Sequence, residues 1–280
     1  MSTETVLITG CSSGIGRATA RAFLEEDWTV YATARDVDDV RALSEAGAEV
    51  AALDVTDGDA VTRVIDRVVE ERGAVDCLVN NAGFGQLGPV EDVPVEAVEH
   101  QFDVNVYGPH RLVRAVLPHM REGDGGTVVN VSSVAGRVSY PGNGVYCGTK
   151  FALEAMSDAL RVEVAPFDVD VVLVEPGPVD TGFTDRAEAE AGSDGETAID
   201  RSGAYGWFYD LLADTAAVAG GGPVAVTPER VAEDVVDAAS STKPPARIPV
   251  GVVGRLGTLS RYLPAVARDA VFSLVHRFGD

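Results

Sequence analysis

Tyr146 and Lys150 have the residue types and the spacing for proton transfer. They lie four positions apart, so a helix through them would present the phenol and the ammonium on one face. A neighbouring cation favours the ionised phenol and lowers its pKa. A phenol tuned in this way exchanges a proton with an alcohol or a ketone near neutral pH. The same spacing occurs in ordinary amphipathic helices, but Lys150 and Lys243 are the two lysines among 22 basic residues, which favours the chemical interpretation.

The charge balance of the chain limits its partners. The 44 Asp and Glu residues outnumber the 22 Lys and Arg residues and give a formal net charge of −22. Such a surface repels nucleic acid and anionic membranes, so neither is an expected partner. Acid-rich, lysine-poor surfaces resemble those of proteins from salt-loving microbes, which makes a halophilic origin a hypothesis.

Size and composition predict a globular cytoplasmic protein. A chain of 280 residues with 46% hydrophobic content can form one α/β domain with a substantial core. Cys11, Cys77 and Cys147 are far apart and lack metal-ligand spacing, which predicts a reducing compartment and no metal site. The N-terminus leads directly into a strand-like segment, and no apolar run is long enough to span a bilayer. We therefore expect neither a signal peptide nor a transmembrane segment.

Strand-like and helical segments alternate along most of the chain. The predicted strands are Thr5–Thr9, Thr29–Thr33, Glu49–Leu53, Cys77–Asn80, Thr127–Val131, Val169–Val174 and Arg247–Val252. The predicted helices are Gly14–Glu26, Asp57–Arg72, Val95–Met120, Tyr146–Ala165 and Pro228–Ala239. This alternation predicts a doubly wound parallel sheet, a Rossmann fold, with helices on both faces. No domain boundary interrupts it, so residues 1–280 are expected to form a single domain.

Two segments of the C-terminal third depart from this alternation. Residues 180–222 are rich in small and acidic residues and include the aromatic cluster Tyr205, Trp207, Phe208 and Tyr209. We interpret this segment as a substrate lid, with a disordered acidic loop as the alternative. Residues 253–280 form a helical tail interrupted by Pro264. The sequence leaves open whether the tail completes the core, lines the substrate entrance, contacts a partner subunit or touches a membrane.

The first predicted strand ends in a glycine-rich turn that leads into a helix. Gly10, Gly14 and Gly16 have the spacing G-x-x-x-G-x-G, which differs from the common G-x-G-x-x-G. Glycines at such a turn let the backbone approach a pyrophosphate, and the helix N-terminus supplies amide donors and a favourable dipole. The turn therefore predicts a dinucleotide site.

Several motifs in register resemble the short-chain dehydrogenase/reductase family. They are T-G-x-x-x-G-I-G at residues 9–16, Asn80-Asn81-Ala82-Gly83, Asn105, Ser133 separated by twelve residues from Tyr146-x-x-x-Lys150, and P-G-x-x-x-T at residues 176–181. The resemblance covers residues 5–185 and 227–250, and its cofactor-side residues are similar to the steroid and retinol dehydrogenase branch. It implies a nicotinamide cofactor, interconversion of alcohols and ketones, and a homodimer or homotetramer assembled through the two long helices.

The resemblance also implies a role for each catalytic residue. Tyr146 would be the general acid/base, and Lys150 would lower its pKa and bind the nicotinamide ribose. Ser133 would hydrogen-bond the substrate oxygen, and Asn105 would hold a water that links Lys150 to solvent. Two hydroxyls converging on one oxygen stabilise the negative charge that develops there during reduction.

The implied cofactor contacts lie on several loops. They are Gly10, Ser12, Ser13, Gly14, Ile15, Gly16, Arg35, Asp54, Val55, Asn81, Ala82, Gly83, Tyr146, Lys150, Pro176, Gly177, Val179 and Thr181. Ala34 stands where an NAD-selecting acid falls in the family, and Arg35 follows it, with a guanidinium suited to the extra phosphate of NADP. Ser12 adds a hydrogen bond to that phosphate in this interpretation. NADP(H) is therefore favoured over NAD(H), which Asp36 would select in the competing interpretation.

The candidate substrate pocket is apolar. Its predicted residues are Phe84, Leu87, Val134, Val138, Val145, Phe183 and the cluster around Trp207. Apolar walls suit an apolar alcohol or ketone better than a sugar or a phosphate ester. A catalytically silent dinucleotide sensor or scaffold is an alternative, disfavoured because all four catalytic positions are filled. A relative acting on nucleotide sugars is disfavoured because a larger C-terminal substrate domain is missing.

Overall fold

The computed structural model describes residues 3–181, 199, 201–209 and 224–270. The described residues form one sheet of seven strands, and each strand pairs in parallel with its neighbours. The strands are β1 Thr5–Ile8, β2 Thr29–Ala34, β3 Glu49–Ala52, β4 Cys77–Asn80, β5 Gly126–Val131, β6 Val169–Pro176 and β7 Arg247–Val250. Their order in the sheet is β3-β2-β1-β4-β5-β6-β7, so the strand order reverses at β1. The predicted Rossmann fold is confirmed.

Helices connect the strands and cover both faces of the sheet. They are α1 Gly14–Glu25, α2 Arg41–Glu45, α3 Gly58–Arg72, α4 Val95–Phe102, α5 Gly108–Glu122, α6 Gly144–Val164, α7 Pro228–Ser240 and α8 Gly251–Ser260. Asp57 caps α3 by accepting hydrogen bonds from the amides of Asp59 and Ala60. Thr227 caps α7 in the same way, by accepting a hydrogen bond from the amide of Arg230.

Most element ends lie within two residues of the predicted ones, and two differences from the sequence prediction have a clear physical form. The predicted helix Val95–Met120 is divided, because residues Asp103–Tyr107 form a π-helical turn between α4 and α5. The predicted last strand ends at Val250 and not at Val252. Gly251 has φ +78°, a left-handed conformation that favours glycine, and α8 begins there.

The core lies in two layers, one on each face of the sheet. Along β1, Val6 and Ile8 belong to the layer beneath α1 and α7, and Leu7 belongs to the layer beneath α3 and α5. All three side chains are fully buried. Burial on both faces explains why the strands read as continuous apolar runs. The rigid sheet holds the loops at its carboxyl edge, where this fold binds ligands.

The predicted lid and tail are described only in part. Residues 182–198, 200 and 210–222 of the lid, including the candidate pocket residue Phe183, lie outside the described residues, as do residues 271–280 of the tail. In the tail, α8 is followed by a second helical stretch that begins after Pro264. Within the described ranges, no helix combines the length and apolarity needed to cross a membrane.

Candidate active site

The glycine turn after β1 lies against the loop that follows β4. Gly10 has φ +71°, and a β-carbon there would lie 2.8 Å from the Cα of Ala82. The side-chain amide of Asn81 donates to the carbonyl oxygens of Thr9, at 2.9 Å, and Gly10, at 3.0 Å. These contacts hold the two loops together where the strand order reverses. The structure thus brings the predicted glycines and Asn81–Gly83 into one cleft.

The start of α1 has the shape and polarity for a pyrophosphate. A β-carbon at Gly16 would lie 2.3 Å from the carbonyl oxygen of Gly10, so only glycine allows this approach. In the described part of the chain, the N-cap side chain of Ser13 does not accept hydrogen bonds from the first amides of α1. Those amides and the helix dipole suit an anion, so the turn fits a dinucleotide.

The segment after β6 crosses over the same turn. The side chain of Thr181 packs on Gly14, because a β-carbon at Gly14 would lie 3.1 Å from the Cβ of Thr181. Val179 pairs with Val226 in a short parallel bridge that anchors this crossing. The predicted cofactor contacts after β6 therefore lie beside those after β1.

The end of β2 carries the charges that bear on cofactor choice. Arg35 is exposed directly after the last residue of β2. The carboxylate of Asp36 accepts a hydrogen bond from the Asp38 amide at 3.0 Å and caps a short 3-10 helix. Asp54 accepts hydrogen bonds from the amide and hydroxyl of Thr56. Burial raises the pKa of Asp54, but these hydrogen bonds and the nearby Arg35 outweigh it and leave the pKa lowered. Arg35 and Asp54 thus face a common region.

Three of the predicted catalytic residues come together between β5 and α6. The hydroxyl groups of Ser133 and Tyr146 are joined by a hydrogen bond. The amine of Lys150 donates to the carbonyl oxygen of Val131 at 2.9 Å and lies 5.8 Å from the ring centre of Tyr146. Ser133 also caps a 3-10 turn by accepting from the Ala135 amide at 3.1 Å, which fixes its side chain.

The ionisation of Tyr146 differs from the sequence prediction. Burial raises the pKa of Tyr146 to about 12, and the hydrogen bond with Ser133 opposes this rise. Burial also lowers the pKa of Lys150 to about 8, opposed by the charge of Glu154. The pKa of Tyr146 is therefore shifted upward, opposite to the direction predicted from the sequence, and the lowering effect expected of Lys150 stays a prediction. The physical reason is that the protein surroundings remove water from the phenol, which disfavours its charged form.

Asn105 lies in the π-helical turn and is buried. Its side-chain NH₂ donates to the Phe84 carbonyl oxygen at 2.8 Å and to the Thr149 hydroxyl at 3.2 Å. Its side-chain oxygen accepts from the Phe84 amide at 3.1 Å. Both hydrogens of the NH₂ group are therefore used, and Asn105 ties the loop after β4 to α6. Its link to Lys150 through a water stays a prediction.

Tyr140 is a site residue that sequence reasoning missed. Burial raises its pKa, and the nearby phenol of Tyr146 adds to the rise. Tyr140 therefore places a second phenol beside the candidate acid/base. The only sequence signal is its position six residues upstream, with the Pro141-Gly142 turn between the two tyrosines.

The described part of the lid packs against the loops that surround the substrate side. Phe208 is buried on Gly142, where a β-carbon would lie 2.0 Å from its ring. The Tyr209 hydroxyl donates to Asp92 at 2.6 Å. Ile199 joins a small apolar cluster with Val145, one of the predicted pocket residues.

The other predicted pocket residues have varied surroundings. The ring of Phe84 lies 5.2 Å from that of His100. Val134 is buried and faces Gly257 of α8, where a β-carbon would lie 2.3 Å from a Val134 methyl group. Leu87 and Val138 are half-buried. The tail helix α8 therefore packs, at Gly257, against the residue that follows Ser133.

A buried ionic cluster beside Lys150 was also missed. Glu154 and Glu175 form ion pairs with Arg137 and Arg247 at 3.1 to 3.7 Å. Glu175 lies in β6 and Arg247 opens β7, so the fold joins residues that are far apart in the chain. Within the described residues, no group of three or more His, Cys, Asp or Glu side chains is placed to hold a metal ion.

Comparison with known proteins identifies the family. A family model described as short chain dehydrogenase matches residues 4–192. The match covers more than half of the chain, so the chain belongs to the short-chain dehydrogenase/reductase family of oxidoreductases. The predicted resemblance is confirmed.

Several curated relatives match most of the chain. The uncharacterized oxidoreductase YbbO of Escherichia coli strain K12 is 35% identical over 272 residues, covering 96% of this chain and 93% of that protein. Human 17-beta-hydroxysteroid dehydrogenase type 1 is 40% identical over 261 residues, with coverage of 88% and 77%. Human retinol dehydrogenase 8 is 37% identical over 260 residues, with coverage of 87% and 80%. The chain is thus similar to members of the steroid and retinol dehydrogenase branch.

Solved structures show the same fold. A short-chain dehydrogenase from Streptomyces avermitilis has a TM-score of 0.82 and 35% identity, covering 100% of this chain and 99% of that one. A serine dehydrogenase complexed with NADP+ has a TM-score of 0.76 and 29% identity, with coverage of 89% and 95%. A Burkholderia phymatum member in complex with NAD has a TM-score of 0.76 and 27% identity, with coverage of 88% and 89%. Structural neighbours therefore bind NADP or NAD.

Proposed function

We propose that this protein is an NADP(H)-dependent oxidoreductase that interconverts an apolar alcohol and its ketone or aldehyde, with Tyr146 as general acid/base. The observation that carries the proposal is the hydrogen-bonded pair of Tyr146 and Ser133 hydroxyls beside the Lys150 amine. The relatives that act on steroids and retinol, by their names, support an apolar hydroxyl or carbonyl compound as substrate.

The residues of the chain orient the substrate and move one proton. During oxidation, the Tyr146 phenolate accepts the hydroxyl proton of the alcohol while the carbinol carbon loses a hydride. Ser133 donates a hydrogen bond to the same oxygen and holds it against Tyr146. During reduction, Tyr146 returns the proton to the oxygen that becomes the alcohol. A bound nicotinamide supplies the hydride acceptor or donor, and its oxidised form adds a positive charge that favours the phenolate.

Lys150 has two roles in this proposal. Its amine, held by the carbonyl of Val131, would bind the nicotinamide ribose and place the cofactor over the two hydroxyl groups. Its charge would also support the phenolate of Tyr146 when the cofactor is bound. In the proposed relay, Asn105 holds a water that connects Lys150 to solvent.

NADP(H) is the proposed cofactor. Arg35 is exposed at the end of β2, whereas the competing carboxylate of Asp36 is occupied in capping a 3-10 helix. A guanidinium clamps a phosphate through two parallel hydrogen bonds, and Ser12 in the glycine turn adds a third donor. The adenine would lie near Asp54 and Val55.

We also propose a cytoplasmic homodimer or homotetramer. The interface would use α4, α5 and α6, and α6 supports this because it exposes Phe151 and Met156 to about 40%. Apolar side chains exposed along one helix are common at oligomer contacts. Three free cysteines that form no disulfide suit a reducing compartment.

A substrate screen tests the proposed activity. Steroids, retinoids, 3-oxoacyl thioesters and simple aldehydes are offered with NADP(H) and with NAD(H), and nicotinamide absorbance is followed. The proposal expects turnover of an apolar compound with preference for NADP(H). Tight dinucleotide binding without turnover of any compound would favour the silent sensor instead.

A further inference from the structure

Glu154 and Glu175 form a buried carboxyl pair below the candidate catalytic lysine. Glu154 lies on α6 one turn after Lys150, and Glu175 lies near the carboxyl end of β6. Their exposed fractions are 5% and 1%. Acidic side chains are almost never this deeply buried unless they are paired.

The arginines around the pair leave two carboxyl oxygens without a hydrogen bond. The Nε of Arg247 lies 3.1 Å from Glu154 and from Glu175, but its single hydrogen is directed at Oε2 of Glu154. The ion pairs of Arg137 with Glu154 and Glu175, at 3.6 and 3.7 Å, are too long for hydrogen bonds. Among the described residues, Oε1 of Glu154 and Oε1 of Glu175 therefore have no donor.

A proton between the two carboxyl groups resolves this deficit. Two adjacent carboxylates in a low-dielectric interior repel each other, and one of them holds a proton more tightly as a result. The protonated group then donates to the other, which satisfies both oxygens. In agreement with this geometry, burial and the charge of Glu154 raise the pKa of Glu175 to about 7.

We propose that Glu154 and Glu175 share one proton near neutral pH, and that Glu154 acts as a positioning residue that keeps Lys150 protonated. The second part rests on the proposed function, in which charged Lys150 takes part. Gly136 packs against this turn of α6: a β-carbon there would lie 2.9 Å from Cγ of Glu154 and 3.1 Å from the backbone carbonyl oxygen of Lys150. The negative charge of Glu154 opposes the loss of the Lys150 proton that burial favours.

The other charged groups around the pair of Glu154 and Glu175 come from three elements. On α6, Asp158 and Arg161 pair with each other, and Asp158 also pairs with Arg247 at 2.6 Å. Arg137 follows the 3-10 turn after Ser133, and Arg247 opens β7. The two carboxyl groups therefore gain and lose their proton among arginines that other ion pairs hold in place. Lys150 lies one turn before Glu154 on α6.

Infrared spectroscopy of the intact wild-type protein tests the shared proton without any assay of activity. The proposal expects a protonated-carboxyl band about one unit below pH 7, where ordinary carboxyl groups are ionised, and its loss well above pH 7. Glu175→Gln should remove the band. The matched control Asp158→Asn, which alters the same Arg247, should retain it. Absence of the band from the wild type, or its survival in Glu175→Gln, would overturn the shared proton.

The pH dependence of kcat tests the link to Lys150. In Glu154→Gln the alkaline limit of kcat should move to lower pH by about one unit, with little change in KM. Glu154→Asp, which keeps the charge, should restore the wild-type limit. If the alkaline limit of kcat in folded Glu154→Gln equalled that of the wild type, the positioning role would be refuted. If no substrate is turned over by the wild type, the proposed function fails, and the infrared result still decides the shared proton.

Discussion

The amine of Lys150 donates a hydrogen bond to the carbonyl oxygen of Val131, 2.9 Å away. Val131 is the last residue of β5, and Ser133 follows it by two positions. The bond therefore ties the face of α6 that carries Tyr146 and Lys150 to the strand that presents Ser133. It also holds the amine 5.8 Å from the ring of Tyr146, so the geometry of the site is fixed by the sheet.

Replacing Arg35 tests cofactor choice. In the proposed complex, Arg35→Ala would remove charge-assisted hydrogen bonds to the phosphate of NADPH worth about 1.5–3 kcal/mol, so affinity for NADPH should fall by about tenfold or more. Affinity for NADH should change little, because NADH lacks the phosphate. Fluorescence titration with both cofactors measures the ratio. Arg41→Ala is the matched control, since Arg41 is an exposed arginine paired with Glu45. An unchanged affinity ratio in Arg35→Ala would exclude this role.

Replacing Glu175 tests the pH dependence of stability. Its pKa is raised in the folded protein from 4.5 to about 7, so the folded state binds more protons than the unfolded state between these values. The stability this proton contributes is full below pH 4.5 and is lost as pH rises through 7, amounting to roughly 3 kcal/mol. Glu175→Gln should therefore lose less stability than the wild type between pH 4.5 and 7. Urea unfolding at several pH values measures the slope.

Asp158→Asn provides a control, because the pKa of Asp158 is shifted in the opposite direction to that of Glu175. Burial raises the pKa of Asp158, but hydrogen bonds from Arg247 and Arg161 outweigh it and lower the pKa. Asp158 therefore contributes stability above its unfolded pKa that is lost on acidification. Its replacement should lower stability at neutral pH. If the free energy of unfolding of Glu175→Gln changed with pH as steeply as that of the wild type, the buried shared proton would be contradicted.

Much of the fold follows from the sequence, because apolar runs mark buried parallel strands. β4 has the predicted bounds, Cys77–Asn80, and the predicted glycines and Asn81 meet in one cleft. The π-helical turn at Asp103–Tyr107 was not predictable, since helical periodicity continues through it. The pair of Glu154 and Glu175 was not predictable either, because it depends on how α6 packs on β6. The direction of the Tyr146 pKa shift was predicted wrongly because the sequence does not show how deeply a phenol is buried.

Replacing Phe208 tests the lid. Phe208 is buried against Gly142, and Gly142 lies in the loop that leads to Tyr146. Truncation of a buried aromatic side chain lowers the free energy of unfolding by about 3–5 kcal/mol. Part of that cost should appear as weaker substrate binding, so Phe208→Ala should raise KM for the apolar substrate about tenfold. KM for the cofactor should stay unchanged. Trp207→Ala is the control, because Trp207 is 39% exposed. Equal effects of both variants would argue against a specific closing contact.

The net charge of −22 leads to a prediction about salt. Repulsion among carboxylates opposes the compact state, and cations at high concentration screen it. The melting temperature and activity should therefore rise from dilute buffer to molar KCl. Maximal activity in dilute buffer, with no loss of structure there, would contradict the halophilic hypothesis.

The most direct test of the proposed chemistry compares Tyr146→Phe with the wild type on the best alcohol from the screen. The phenyl ring keeps the packing and removes the proton-transfer group, so kcat should fall by about 10²- to 10⁴-fold while cofactor affinity is retained. Tyr262→Phe, at a tyrosine that is 79% exposed, should leave kcat unchanged. Substantial turnover by Tyr146→Phe with bound cofactor would contradict the assignment of Tyr146 as the general acid/base.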